Sequence, residues 1–126
     1  MYHYRCQVLN IVDADTVDCL LDLGLRIQTS TRIRLWGINA VERNDPRHIT
    51  AQSFLRFLLI GKPLTIWTLK DKTEKYGRLL GVFYEARESR SVNQKMLDQG
   101  MAVPYMVELQ NGQLPEVRDG DVLLEP

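Results

Sequence analysis

Apolar and polar side chains alternate along most of the first 36 residues of the chain, which is the pattern of β-strands. The alternation predicts three strands, over Tyr2–Val12, Thr16–Leu21 and Leu25–Trp36, separated by turns at Asp13–Asp15 and Asp22–Gly24. Because both turns are short, we expect the three strands to form an antiparallel meander. In the first strand, one face is predicted to carry Cys6, Val8 and Val12, and the other face Leu9 and Ile11.

Helical periodicity first occurs after a polar loop, with Thr50 as the predicted N-cap and Gly61 as the stop. Two further strands are predicted at Leu64–Leu69 and Leu79–Tyr84, and a second short helix at Val92–Gln99. The chain is therefore predicted to be a β-rich α+β protein with a five-stranded barrel of the oligonucleotide-binding (OB) type. One helix lies between strands 3 and 4, and the second helix follows strand 5. Periodicity alone leaves other β-rich α+β folds open.

Length and composition indicate one globular unit. The chain has 126 residues, 44% apolar and 25% charged, and no apolar run approaches the ~20 residues needed to span a bilayer. We expect a domain over residues 1–103, an irregular acidic tail over residues 104–126, and a cytoplasmic location for the chain as written, with a bacterial or phage origin.

The formal net charge is zero, which argues against a protein that holds nucleic acid by charge alone. The charge is unevenly distributed, however. Residues 108–126 contain five acidic residues and one basic residue, which leaves 15 basic and 11 acidic residues in 1–107. The body is thus positive and the tail negative, and a solvated tail without a role is the simplest interpretation.

The two cysteines, Cys6 and Cys19, fall on the first and second predicted strands. If those strands meet in a turn near Ala14, Cys6 lies opposite a residue near Asp22 and Cys19 opposite one near Leu9. This offset is too large for a disulfide, so we expect two reduced, buried thiols.

Three polar side chains could supply oxygen ligands to a cation. Asp13 and Asp15 flank the turn between the first two strands, and Asn39 follows the third strand. Carboxylate and amide oxygens suit a hard cation such as Ca²⁺ or Mg²⁺. The alternative is an ordinary turn capped by its own aspartate side chains, with Asn39 as a loop residue.

Two arginines and a glutamate are candidates for phosphate chemistry. Arg34 ends a buried strand and Arg78 precedes one, so two guanidinium groups could neutralise the phosphate oxygens. Glu42, on the loop beyond Arg34, is the best candidate for a general base. An ion pair between Glu42 and Arg43 or Arg47 is the competing interpretation.

The turn Lys75-Tyr76-Gly77 comes directly before Arg78, and we assign Lys75 and Tyr76 as candidate substrate-binding residues. Tyr76 could stack on a base because it lies beside a glycine at the predicted cleft. The two histidines, His3 and His48, are isolated in the sequence and are predicted to be ordinary surface or interface residues.

Four segments in this order resemble the thermonuclease, or staphylococcal nuclease-like, domain family. The segments are Ile11-Val12-Asp13-Ala14-Asp15-Thr16, Ile33-Arg34-Leu35-Trp36-Gly37-Ile38-Asn39-Ala40-Val41-Glu42, Glu74-Lys75-Tyr76-Gly77-Arg78, and Val92-Asn93-Gln94-Lys95-Met96-Leu97-Asp98-Gln99-Gly100-Met101-Ala102. Their order and separations match the family over about residues 4–103, and four ordered matches are far more specific than one.

The resemblance implies an OB-type barrel and a Ca²⁺-dependent phosphodiesterase that acts on DNA and RNA with little base preference. It also implies roles for individual residues: Asp15 as a metal ligand with Asp13 as a nearby carboxylate, Arg34 and Arg78 as the phosphate clamp, and Glu42 as the residue that positions water. These are the residues that their chemistry alone had selected.

The sequence departs from the family pattern in two places near the predicted site. Ala14 replaces a glycine between the two aspartates, and Asn39, Ala40 and Val41 stand where the family typically has Asp-Thr-Pro or Asp-Ala-Pro. A neutral ligand in place of a charged one is expected to weaken Ca²⁺ binding, so Mg²⁺ and Mn²⁺ are alternatives. The competing function is a non-catalytic or weakly active barrel that binds nucleic acid or a protein partner.

Overall fold

The computed structural model describes residues 2–70 and 79–116, in which five strands close into a barrel. Around the barrel the strands are β1 (Tyr2–Asp13), β2 (Thr16–Gly24), β3 (Ile27–Leu35), β6 (Leu79–Glu85) and β5 (Leu64–Lys70), and β5 pairs again with β1. The other elements are β4 (Ile38–Ala40), which pairs with β7 (Ala102–Pro104), and the helices α1 (His48–Leu59) and α2 (Val92–Asp98). The predicted five-stranded OB-type barrel with two helices is confirmed.

The pairing follows the predicted meander, since β1 with β2 and β2 with β3 are both antiparallel. The barrel closes through one parallel contact, in which Ile33–Leu35 of β3 lies beside Leu79–Gly81 of β6. The predicted fourth and fifth strands are β5 and β6, because the short β4 is inserted between β3 and α1. This short strand and β7 were not predicted.

The buried side chains of β1 do not follow strict alternation along the strand. Register shifts between Val8 and Asn10 and between Ile11 and Asp13 mark β-bulges, which place an extra residue in the strand. As a result Ile11 is buried together with Val8, whereas Leu9 is 49% exposed. The prediction that Val12 shares the buried face with Val8 was wrong, because regular alternation takes no account of a bulge.

The barrel interior packs closely around Gly81 of β6. A Cβ atom at this position would lie 2.7 Å from Ile66 Cδ1 and 2.8 Å from Ile33 Cγ2, distances at which these side chains would have to move. Ile33 and Ile66 are fully buried. Glycine at this position therefore leaves room for the Ile33 and Ile66 side chains in the barrel interior.

The first helix begins three residues earlier than predicted. It starts at His48, and its N-cap is Arg47, which has no side-chain capping bond, so the predicted N-cap at Thr50 was wrong. Hydrogen bonds of the preceding loop, including His48 N to Asp45 O at 3.0 Å, supply the turn that starts the helix. Gly61 has φ of 74° and follows the end of the helix as predicted.

The second helix begins with a capping bond and carries two buried polar residues, Asn93 and Gln94. Ser91 Oγ accepts a hydrogen bond from Gln94 N at 3.0 Å. On the same helix the Asn93 side chain is fully buried, donates to Trp36 O at 2.8 Å and to Gly81 O at 3.0 Å, and accepts from Phe83 N at 3.1 Å. Beyond the end of β3, the side-chain amide of Asn93 therefore makes hydrogen bonds to main-chain groups of β6 that a further strand residue would otherwise make.

Both cysteines are buried and free, which confirms two reduced thiols. Cys6 lies opposite Leu21 and Cys19 opposite Val8, close to the predicted register. The neighbouring Cys6 thiol and burial raise the pKa of Cys19, so its reactive thiolate form is disfavoured.

None of the helices in the described ranges is long and apolar enough to cross a membrane. The chain between β7 and Glu116 contains a single bridge, between Gln110 and Gln113. The acidic residues beyond Glu116 lie outside the described residues, and the boundary at residues 103–104 stays a prediction.

Candidate active site

Three of the predicted site residues, Asp15, Arg34 and Asn39, come together at one end of the barrel. Asp15 lies in the β1–β2 turn, Arg34 is the penultimate residue of β3, and Asn39 is the central residue of β4. The Arg34 Nη2 atom donates a hydrogen bond to Asn39 Oδ1 and lies 3.8 Å from Asp15 Oδ2. A carboxylate, a carboxamide oxygen and a guanidinium group are thus collected from three separate segments.

The orientation of Asp15 is fixed through both its main chain and its side chain. Its carbonyl oxygen accepts from Leu35 N at 2.8 Å, which joins the turn to the end of β3. Its Oδ2 accepts from Ala40 N at 3.1 Å and its Oδ1 accepts from Thr16 Oγ1 at 3.1 Å. With only 18% of the side chain exposed, this carboxylate presents a defined set of oxygens to the end of the barrel.

Arg34 is held on two sides and is 13% exposed. In addition to its contacts with Asn39 and Asp15, its guanidinium carbon lies 4.8 Å from the ring centroid of Tyr105, within the range of a cation–π interaction. The Tyr105 main chain is fixed by a hydrogen bond from its N to Gly37 O at 2.8 Å. These contacts keep a permanent positive charge beside the Asp15 carboxylate.

Asp13 has a different environment from Asp15, although the two are separated by one residue. Its Oδ1 accepts from Ala14 N at 2.8 Å, which is the self-capped turn considered as the alternative. Its carboxylate also faces His48 Nε2 at 3.3 Å and Arg43 Nη2 at 3.7 Å. Ala14 is buried and the turn does not require a positive φ there, so alanine is accommodated in place of glycine.

Glu42 lies beyond Asn39 on the loop that leads into α1, and it is exposed. The basic residues considered as its partners are engaged elsewhere, since Arg43 faces Asp13 at 3.7 Å and Arg47 contacts Asp45 at 2.9 Å. Within residues 2–70 and 79–116, no side chain forms an ion pair with the Glu42 carboxylate. The carboxylate is therefore available to accept a proton from water, as a general base must.

Tyr105 and His48 are part of this region, and sequence reasoning missed both. Tyr105 follows β7 in a segment that lacks periodicity, and its contact with Arg34 depends on the pairing of β7 with β4. His48 is isolated in the sequence, which predicts an ordinary surface or interface residue. Its side chain is only 12% exposed and lies against Asp13. The predicted start of α1 three residues later concealed this placement.

The oxygen donors suit a hard cation, although they are few. Asp15 Oδ2 and Asn39 Oδ1 both approach Arg34 Nη2, so the two groups lie close to each other. In the described part of the chain, no group of three or more His, Cys, Asp and Glu side chains could hold a metal ion. One carboxylate and one amide oxygen match a cation that keeps several water ligands.

Three predicted site residues, Lys75, Tyr76 and Arg78, lie outside the described residues. Their neighbours in the chain are informative, however. Leu79 pairs with Ile33 and Leu80 with Arg34 in the parallel contact between β3 and β6. The strand that follows Arg78 in the sequence is therefore the direct neighbour of the strand that carries Arg34.

Comparisons with known proteins agree with this arrangement. Residues 32–119 match the family described as staphylococcal nuclease homologue. The chain is 32% identical to Protein ParB of Escherichia coli over 108 residues, which is 80% of this chain and 57% of that protein. It is 28% identical to a micrococcal nuclease of Shigella flexneri over 109 residues, which is 81% of this chain and 59% of the relative.

The chain thus spans a little under three fifths of the length of these two relatives. The family match covers most of the chain and includes Arg34, Asn39, Glu42 and the segment around Arg78. The barrel, the two helices and the order of the sequence motifs are all consistent with it. The chain belongs to the staphylococcal nuclease homologue family.

Proposed function

We propose that this protein is a metal-dependent phosphodiesterase that hydrolyses DNA, RNA or both with little base specificity. The observation that carries the proposal is the convergence of Asp15, Arg34 and Asn39 at one end of the barrel, with Glu42, which has no ion-pair partner among the described residues, three residues beyond Asn39. A carboxylate and an amide oxygen for a cation, a guanidinium group for phosphate and a free carboxylate for water are the groups that diester hydrolysis needs. The similarity to a micrococcal nuclease supports the same substrate class.

The proposed reaction is a direct attack of water on a phosphodiester. The Glu42 carboxylate takes a proton from a water molecule as the water oxygen forms a bond to phosphorus. The bond between phosphorus and the leaving oxygen breaks, and that oxygen takes a proton from solvent. The products are a phosphomonoester and an alcohol.

The chain's two candidate arginines stabilise the charge that develops on the phosphate. Arg34 is already oriented by Asn39 and Tyr105, so little ordering of its side chain is required when a phosphate binds. Arg78 is proposed as the second guanidinium group because Leu80, two residues after it, pairs with Arg34. Lys75 and Tyr76 are proposed to contact the substrate on the same side.

Asp15 and Asn39 are the residues that would hold the cation, and Asp13, which faces His48 and Arg43, is the weaker candidate. A bound divalent cation would supply Lewis-acid stabilisation of the phosphate charge. Ca²⁺ is the first candidate, and Mg²⁺ or Mn²⁺ are the alternatives, since a site with one charged ligand is expected to bind any of them weakly.

The test is digestion of plasmid DNA, single-stranded DNA and RNA in Ca²⁺, Mg²⁺, Mn²⁺ or a chelator. We expect Glu42→Gln and Arg78→Ala each to lower the rate by at least about a hundredfold while the circular dichroism spectrum is unchanged. His3→Ala is the matched control, since His3 is exposed and lies at the opposite end of β1 from Asp13. Equal cleavage by the parent and both site variants would contradict the assignment.

One observation favours a second candidate, a barrel that binds nucleic acid or a protein partner without catalysis. Arg34 already donates to Asn39, so the position of an acidic metal ligand is taken by a neutral amide whose oxygen has a hydrogen-bond donor without a cation. This candidate predicts binding of single-stranded DNA with no cleavage in any of the three metals. A gel-shift titration beside the digestion separates the two functions.

A further inference from the structure

Main-chain hydrogen bonds hold the loop that carries Glu42 at its start, in its middle and near its end. At its start, Val41 N donates to Met101 O at 3.3 Å. In its middle, Asp45 N donates to Glu42 O at 2.9 Å, and near its end His48 N donates to Asp45 O at 3.0 Å. These bonds form two consecutive turns, so the main chain on both sides of Glu42 is defined.

The part of the loop just before α1 is held by hydrogen bonds between Asp45 and Arg47. Asp45 Oδ1 accepts from Arg47 N at 2.7 Å, and Asp45 Oδ2 accepts from Arg47 Nη2 at 2.9 Å. Arg47 Nη1 then donates to Gly100 O at 3.0 Å, which ties the loop to the end of α2. The Arg47 side chain is exposed and that of Asp45 is partly exposed, so this contact alone is worth little in free energy.

His48 makes the half-buried contact that reaches back to the residue before Glu42. Its Nδ1 lies 3.1 Å from Val41 O, and because a carbonyl oxygen can only accept, Nδ1 carries a proton and donates. On the other side of the ring, Nε2 lies 3.3 Å from Asp13 Oδ1. One ring therefore joins the start of α1, the main chain preceding Glu42, and the turn that carries Asp15.

We propose that His48 is a positioning residue that holds Glu42 in place through the hydrogen bond from Nδ1 to Val41 O. This inference rests on the proposed function, in which Glu42 is the base. Glu42 has no side-chain partner of its own among the described residues, so the direction of its carboxylate depends on its main chain. Without the His48 contact, the Val41 carbonyl loses this partner. Among the described residues, the loop then keeps its main-chain turns and the Val41–Met101, Asp45–Arg47 and Arg47–Gly100 contacts, none of which involves Val41 O.

The expected effect is on the chemical step more than on substrate binding. A displacement of about 1 Å at a catalytic group can cost about a hundredfold in rate. Of the two arginines proposed to bind phosphate, Arg34 lies among the described residues, and its contacts there are with Asn39, Asp15 and Tyr105 and not with His48. We therefore expect a lower kcat with an unchanged KM when the contact is removed.

Three substitutions separate the two contacts of the ring. In His48→Asn the amide nitrogen takes the position of Nδ1 and can still donate to Val41 O, but the contact with Asp13 is lost. In His48→Gln the longer side chain reaches toward Asp13 and the bond to Val41 O is lost. In His48→Ala both contacts are absent.

We expect kcat to fall about tenfold or more in the alanine and glutamine variants and to stay within about threefold of the parent in the asparagine variant. The His3→Ala control should be unchanged. Glutamine restoring activity where asparagine does not would overturn the proposal, since the contact with Asp13 would then be the important one. Equal kcat in all variants of an active parent would overturn it as well.

A double-mutant cycle with Glu42→Gln distinguishes positioning from general support of the fold. If His48 acts through Glu42, His48→Ala should cost nothing further in the Glu42→Gln background. The same loss in both backgrounds would show a structural effect and would refute the inference. A parent that cleaves nothing in any metal would instead refute the proposed function, and this inference with it.

Discussion

Replacing Asn93 with alanine is expected to remove a large part of the stability of this protein. Asn93 is fully buried on α2, and its amide makes three hydrogen bonds with main-chain groups of Trp36, Gly81 and Phe83. β3 pairs with β6 only as far as Gly81, so the amide occupies the place that a further strand residue would take. Alanine would leave two carbonyl groups and one N–H group without these partners.

The size of the loss follows from the three bonds. A buried hydrogen bond contributes about 1 kcal/mol net, and a buried polar group left without a partner costs about 1–3 kcal/mol. A water molecule entering the space would recover part of this. We therefore expect a destabilisation of about 3 kcal/mol, which corresponds to a fall of about 10 °C in the melting temperature of a domain of this size.

Equilibrium unfolding in urea, followed by tryptophan fluorescence, measures this change. The midpoint should move down by about 1.5 M with little change in slope. Asn93→Asp separates the effect of lost hydrogen bonds from the effect of lost side-chain volume, because aspartate has the same size as asparagine. Its carboxylate would face two carbonyl oxygens, so we expect this variant to be at least as destabilised as the alanine variant. Exposed Asn44→Ala is the control, with an expected change within about 0.5 kcal/mol. A loss below about 1 kcal/mol for Asn93→Ala would refute the argument.

Three further outcomes are expected. Asn39→Asp should raise divalent cation affinity about tenfold in a calorimetric titration, since a second negative ligand is added, and no change would show that the metal is bound elsewhere. Tyr105→Ala should raise KM a few-fold and Tyr105→Phe should not, because the ring face and not the hydroxyl group lies over Arg34. Hydrogen bonds from the Arg47 side chain and main chain lower the pKa of Asp45 to about 2 from its usual 3.8, so its contribution to stability is present above about pH 4 and is lost as the pH falls through about 2. A carboxyl titration of Asp45 by NMR with a midpoint near 3.8 would contradict this.

The sequence was sufficient to predict the barrel because its strands obey simple rules. Alternation located β5 and β6 to within one residue and β2 to within three, and Gly61 marked the end of α1. The errors occur where a local rule is overridden. In β1 the bulge after Val8 buries Ile11 in place of Val12, and a bulge leaves no sign in a pattern of single residues.

Several residues of the candidate site could be selected from the sequence, but some of the contacts between them could not be predicted. Asp15, Arg34 and Asn39 were selected from the sequence, and the structure brings them together. What the sequence did not reveal is that Asp13 faces away toward His48, since two aspartates one residue apart look equivalent in a turn. Tyr105 was missed because its position depends on a pairing between β4 and β7, two strands of three residues each.

The hydrogen bond between Arg34 and Asn39 has two opposite effects on the proposed reaction. An asparagine offers no charge to a cation, so it weakens the metal site that Asp15 shares. It also holds Arg34 less tightly than a carboxylate would, since an ion pair between these groups would have to be broken before the guanidinium group could turn to a phosphate. Asn39 is therefore expected to lower the affinity of the proposed site for a metal ion and to leave Arg34 more readily available to bind phosphate. On this argument the Asn39→Asp protein should bind metal more tightly but also show a higher KM, and a rise in metal affinity without a rise in KM would mean that Arg34 does not bind the phosphate.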